Sequence, residues 1–113
     1  MNQPQKLLFV CTENRMRSLT AEKMYEGFPG YEVKSAGTST SARTPVTQEH
    51  IDWADVIFVM EPEHEQVLKE QFGEALEEKN VFCLNIPDIY CYMEPNLIDK
   101  LKAALNGDVD VPE

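Results

Sequence analysis

Cys11 and Arg17 bracket five residues, Thr12-Glu13-Asn14-Arg15-Met16, and Ser18 follows directly. A thiol, a guanidinium and a hydroxyl at this spacing suit anion chemistry. Backbone N–H groups of a loop that curls into a helix can converge on the oxygens of a phosphate. The same positive field favours the thiolate, the nucleophilic form of cysteine. Arg17 offers a planar fork that matches two phosphate oxygens. Ser18 can donate a hydrogen bond to sulfur and is also placed to cap the helix that follows. Asn14 suits a sharp turn at positive φ, which Asn tolerates best after Gly. Many donors are needed here. A thiolate about 4 Å from a phosphate dianion is repelled by roughly 8 kcal/mol at an effective dielectric of about 20. One helix end returns only about 0.3–1 kcal/mol at an exposed site.

The elements that must position this loop are readable around it. Leu7-Leu8-Phe9-Val10 is an apolar run ending at Cys11, as expected of a strand buried on both faces. Ala21, Met24, Tyr25 and Phe28 then fall on one helical stripe, ended by Phe28-Pro29-Gly30. A second strand is predicted over 31–36, a polar loop over 38–45 and a short helix around 47–53. Val56 to Met60 gives a third strand. Pro62 opens a helix carrying Val67, Leu68 and Phe72 and stopping at Gly73. Val81 to Leu84 gives a fourth strand. Pro95 opens a last helix with Leu97, Ile98, Leu101 and Leu105 on one side. This alternation predicts an α/β fold, a four-stranded parallel sheet in the order 2-1-3-4 with helices on both faces. Ligands of such sheets bind beyond the carboxyl ends of the strands, where the order reverses. Cys11 stands there.

The 113 residues fit a single domain over 1–113, with an acidic tail, 108–113, expected to fray. A net charge of −10 argues against nucleic acid or an anionic membrane as the partner. Three cysteines are too few, and odd in number, for a disulfide framework. The opening residues are polar, so no signal peptide is expected, and no apolar run approaches membrane-spanning length. A cytoplasmic location is expected.

The motifs resemble those of the low-molecular-weight protein tyrosine phosphatases, over nearly the whole chain. Phe9-Val10-Cys11, Asn14, Arg17-Ser18 and Thr20-Ala21-Glu22 match that family's opening signature. Ser35-Ala36-Gly37-Thr38 looks like its second strand and following loop. Ala54-Asp55 with Val56 to Met60 looks like its third strand, and Pro87-Asp88-Ile89-Tyr90 looks like its acid loop. The resemblance implies the phosphotyrosine protein phosphatase I-like fold and phosphate monoester hydrolysis through a phosphocysteine. Cys11 would be the nucleophile, and Arg17 the clamp. The loop from Thr12 through Glu13, Asn14, Arg15 and Met16 to Ser18 would cradle the phosphate. Asp88 would be the general acid and Tyr90 a wall of the substrate pocket. The substrate would be a phosphorylated protein or a small phosphate ester, and no cofactor or metal is implied. Departures stand beside the match. Glu13 replaces the usual glycine and must point outward, and Met16 stands where many members carry a second cysteine. Leu19 and Ile89 replace prolines, and the chain is short between Thr38 and Thr47.

Two other readings stay open. Cys83 and Cys91 suggest a thiol-coupled arsenate reductase on the same fold, and Glu13 with the shortened loop suggests an inactive phosphate- or phosphopeptide-binding module. For the remaining residues the bland expectation is the better one. Cys83 should be a buried strand thiol, and Arg43 should pair with a carboxylate. Glu61, Glu63 and Glu65 read as a solvated helix start, favoured by the helix dipole. His50 and His64 have no Cys or His partner at metal spacing.

Overall fold

Residues 3–112 are described by a computed structural model. Strand and helix alternate as β1 (Gln5–Cys11), α1 (Arg17–Met24), β2 (Tyr31–Gly37), α2 (Gln48–Trp53), β3 (Val56–Val59), α3 (Pro62–Leu76), β4 (Asn80–Cys83) and α4 (Pro95–Leu105). The strands form one parallel sheet in the order β2-β1-β3-β4, as the sequence predicts. The register aligns Cys11 with Gly37 and Val10 with Val59, so the carboxyl ends lie level.

The apolar run in β1 is explained by its position. Leu7 and Phe9 face a cluster completed by Phe58, Leu97, Leu101 and Leu105. Leu8 and Val10 face a second cluster with Ile51, Ile57, Val59 and Leu68. Both faces of the strand are thus covered, and each such side chain contributes about 1.5–3 kcal/mol of burial free energy. Phe9 stacks between Phe58, at 5.3 Å between ring centroids, and Tyr25, at 5.9 Å. On this first face α1 packs against β1 and α4, so the Cys11 loop must turn back over the end of β1 to enter it.

Three elements differ from the sequence reading. Helix α1 ends at Met24 rather than near Phe28, and the chain leaves it through Gly27 at φ 76. Tyr25 and Phe28 still reach the aromatic cluster from this turn, so the apolar spacing outlasts the helix. Helix α3 does not stop at Gly73. Phe72 departs from helical angles (φ −131, ψ 25), and one more turn carries Leu76 into the core. The tail expected to fray is tied down as far as it is described. Tyr25 donates its hydroxyl to the Asp110 carbonyl at 2.8 Å, and the Asp110 N–H donates to the Tyr31 hydroxyl at 2.9 Å. Val109 and Val111 pack on the core, while Glu113 lies outside the described residues. Among the described residues no helix is long and apolar enough to cross a membrane.

Candidate active site

The loop 12–16 leaves β1 at Cys11 and enters α1 at Arg17. Asn14 adopts φ 57, the left-handed turn its residue type permits. That turn brings the Asn14 N–H back to within 3.3 Å of Cys11 Sγ. Ser18 Oγ lies 2.9 Å from the same sulfur, and Asn14 Nδ2 donates to Ser18 Oγ at 2.8 Å. With one lone pair of the hydroxyl so engaged, Ser18 can turn its proton to sulfur, and against a thiolate only Ser18 can be the donor. The expected N-cap role is therefore not what Ser18 does. It lies inside α1, whose N-cap residue is Met16, and its hydroxyl serves the thiol instead.

The back of the loop is held by the segment that follows β2. Thr38, Ser39 and Arg43 donate their N–H groups to the carbonyls of Cys11, Thr12 and Glu13 at 2.9, 3.0 and 2.9 Å. Carbonyl oxygens, which would repel an anion, are thereby turned outward to partners. Among the described residues the N–H groups of Glu13, Arg15, Met16, Arg17 and Ser18 have no protein acceptor. These are the donors that phosphate oxygens require. Gly37 permits the contact, since a Cβ there would stand 2.4 Å from the Thr12 carbonyl oxygen and 2.7 Å from Ala42 Cβ. Glu13 is exposed, and it borders the cavity over Cys11 rather than standing clear of it.

Arg17 is 2% exposed, with Nη1 donating to the Ile86 carbonyl at 2.8 Å and to the Glu61 carboxylate. Its Nε lies 3.8 Å from Asp88 Oδ1, and Asp88 itself is 67% exposed. Two carboxylates from the ends of β3 and β4 thus aim one buried guanidinium. A cavity of about 190 Å³ is lined by Cys11, Thr12, Glu13, Arg15, Met16, Arg17 and Asp88. The nucleophile, clamp and acid expected from the sequence converge on it.

Other expectations fare differently. Tyr90 is half-buried and packs against the cluster around Phe9 and Leu97, and is not among the residues lining the cavity. Glu61 is no solvated helix start, because it occupies Arg17. Arg43 makes no ion pair among the described residues. Its Nη1 lies 3.5 Å from Asn14 Oδ1, behind the loop. Cys83 is half-buried on the edge strand, with Sγ 3.4 Å from Asn85 Oδ1. Cys91 is exposed.

The residue that sequence reasoning passed over is His64. It is 1% exposed, with Nε2 2.9 Å from Thr12 Oγ1 and Nδ1 3.0 Å from the Glu61 backbone nitrogen. Burial, then the nearby Arg17 charge, lowers its pKa to about 4. Glu61, Glu63 and His64 each bring one ligand-type atom within 4.8 Å of the others. Both ring nitrogens of His64 are already engaged and Glu61 holds Arg17, so the group reads as a hydrogen-bond network. The available signal was positional, because Glu61-Pro62-Glu63-His64 follows β3 at the sheet edge that carries Cys11.

Comparison with known proteins points one way. A protein-arginine-phosphatase of Geobacillus stearothermophilus is 33% identical over 99 residues, spanning 66% of this chain and 67% of that protein. The solved structure of the YwlE arginine phosphatase from Geobacillus stearothermophilus superposes with a TM-score of 0.64 at 27% identity, covering 93% of this chain and 95% of that one. Wzb of Vibrio vulnificus, solved in complex with benzylphosphonate, shares the fold at a TM-score of 0.69 and 21% identity, covering 90% and 92%. No family model matches the chain.

Proposed function

The chain belongs to the low-molecular-weight protein tyrosine phosphatase family, whose members are cysteine-dependent phosphatases, and from that membership we propose that it dephosphorylates proteins through a phosphocysteine on Cys11. One observation carries the proposal. Cys11 Sγ takes hydrogen bonds from Ser18 Oγ and the Asn14 N–H in a cavity that also holds Arg17 and Asp88. The Cys11 thiolate attacks phosphorus while the bond from phosphorus to the leaving atom breaks. Asp88 gives its proton to that atom. Arg17 and the unpartnered loop amides hold the equatorial oxygens. Asp88, now a carboxylate, takes a proton from water as the water oxygen attacks phosphorus. The P–S bond breaks and the thiolate returns.

Phosphotyrosine is the substrate of the first reading, with exposed Met16 as an apolar edge of the cavity. A second reading, phosphoarginine, draws on the relative named for that substrate and on the carboxylates of Glu13 and Asp88. Both line the cavity, where a guanidinium leaving group would meet them. The arsenate reductase reading is the weaker one, since a disulfide relay would have to run from buried Cys11 to Cys83 on the far edge strand. We place the enzyme in the cytoplasm, where a thiol nucleophile stays reduced. The test is phosphate release from matched phosphotyrosine and phosphoarginine peptides by the parent and by Cys11→Ser. Turnover of one or both peptides by the parent, abolished in Cys11→Ser, is expected. Turnover by Cys11→Ser near the parent rate would defeat the reading.

A further inference from the structure

Thr12 and His64 form a pair whose proton positions can be worked out. His64 Nδ1 lies 3.0 Å from the backbone nitrogen of Glu61. A backbone amide can only donate, so Nδ1 carries the lone pair. In the neutral ring the proton is then on Nε2, which donates to Thr12 Oγ1 at 2.9 Å. Neutrality is secured by the surroundings, since burial and the Arg17 charge lower the pKa of His64 to about 4. Protonation is also opposed geometrically. A proton on Nδ1 would face the Glu61 N–H.

The consequence falls on the Thr12 hydroxyl. One of its lone pairs is committed to His64, and its own proton must turn away from the ring. Among the described residues it finds no protein acceptor. Thr12 lines the cavity with Cys11, Arg17 and Asp88, where the oxygens of a phosphate would be the available acceptors. We infer that the Thr12 hydroxyl donates a hydrogen bond to an oxygen of the bound phosphoryl group, and that His64 is the positioning residue that fixes its direction. The assignment rests on the phosphatase reading above. It also explains why a histidine, rather than an apolar residue, fills a buried place at the start of α3. The same ring that aims Thr12 accepts from the backbone of Glu61, whose carboxylate holds Arg17. Two phosphate-binding groups are thus registered through one imidazole.

A purely structural Thr12–His64 bond, pinning α3 to the loop, predicts different behaviour, and isosteres separate the two. His64→Asn keeps an acceptor near the Nδ1 position and loses the donor to Thr12. His64→Gln keeps a donor near the Nε2 position. The measurements are the affinity for inorganic phosphate by calorimetry and kcat for an aryl phosphate. We expect Thr12→Val to lower both by about ten- to a hundredfold, the scale of one hydrogen bond to a charged group, and Thr12→Ser to restore them. His64→Asn should lose at least as much as Thr12→Val does, and His64→Gln, which keeps the donor to Thr12, should lose clearly less than His64→Asn. In the Thr12→Val background, His64→Asn should change both quantities less than it does in the parent. Should the His64 variants fail to fold, the contrast between Thr12→Val and Thr12→Ser still decides, because it leaves the histidine intact. A Thr12→Val protein with the parent's phosphate affinity and kcat would overturn the assignment. Equal effects of Asn and Gln that track melting temperature would do the same. If the parent cleaves no phosphate ester yet phosphate affinity follows the expected pattern, the phosphatase reading fails and the Thr12 contact stands.

Discussion

Two concavities on this molecule differ in how far their polar groups are already engaged. The larger, about 570 Å³, lies along the β2 edge between the end of α1 and Trp53. The smaller, about 190 Å³, sits over Cys11. In the larger groove the polar groups answer one another. Lys23 pairs with Glu26 at 3.2 Å, Ser35 donates to Glu22 at 2.7 Å, and the Lys34 ammonium lies 4.6 Å from the centre of the Trp53 ring. In the smaller cavity, loop N–H groups lack acceptors among the described residues and a buried guanidinium is aimed by two carboxylates. Volume therefore says little here. Donors held ready and kept from pairing among themselves mark the chemistry, and they are what stabilises developing charge.

Changes in the small cavity should have large effects on turnover. Asp88→Asn should slow hydrolysis of a phosphotyrosine peptide by about 10²–10⁴-fold, the usual contribution of a positioned acid. An activated nitrophenyl ester, whose leaving group departs almost unaided, should be slowed far less. Rates measured on both substrates check this, and an equal loss on the two would assign the acid elsewhere. Behind the loop, Gly37→Ala should destabilise the protein by about 1–3 kcal/mol, since its methyl group meets backbone and cannot be accommodated by a side-chain shift. Denaturant unfolding reads this, and kcat should fall too because Thr12 moves. In the larger groove, Lys34→Gln should change stability by about 0.5–1 kcal/mol through loss of its contact with Trp53. Its turnover should match the parent. A marked kinetic effect there would break the contrast between the two concavities.

How much of this could be read from the sequence follows from the range of each interaction. The Cys11 loop was legible because its parts are neighbours in the chain, and the turn at Asn14 and its place before α1 follow from residue type alone. Strand order was legible because strand and helix alternate and their crossovers are right-handed, and the unbroken apolar runs Leu7 to Val10 and Val56 to Met60 fit the two central strands. The roles of Glu61 and His64 were not. Their partners, Arg17 and Thr12, lie 44 and 52 residues away, and a lone Glu or His at a helix start looks the same whether solvated or buried. Of the two roles that its position offered Ser18, the bond to the Cys11 sulfur holds and the N-cap does not, because both call for the same residue type beside a helix start. The tail was expected to fray on composition, but the hydroxyls of Tyr25 and Tyr31, far away in the chain, tie it.

The central claim is that Cys11 carries the phosphoryl group between substrate and water. The direct measurement is rapid quenching of the protein with a phosphopeptide that it turns over, followed by mapping of the modified residue by mass spectrometry. The account predicts phosphate on the peptide containing Cys11. None should appear in Cys11→Ser on any other residue, and with an activated nitrophenyl ester, whose leaving group needs no acid, accumulation should be greater in Asp88→Asn, where the water-activating step is impaired. Turnover with phosphate trapped on His64 or on a carboxylate, and none on Cys11, would contradict it.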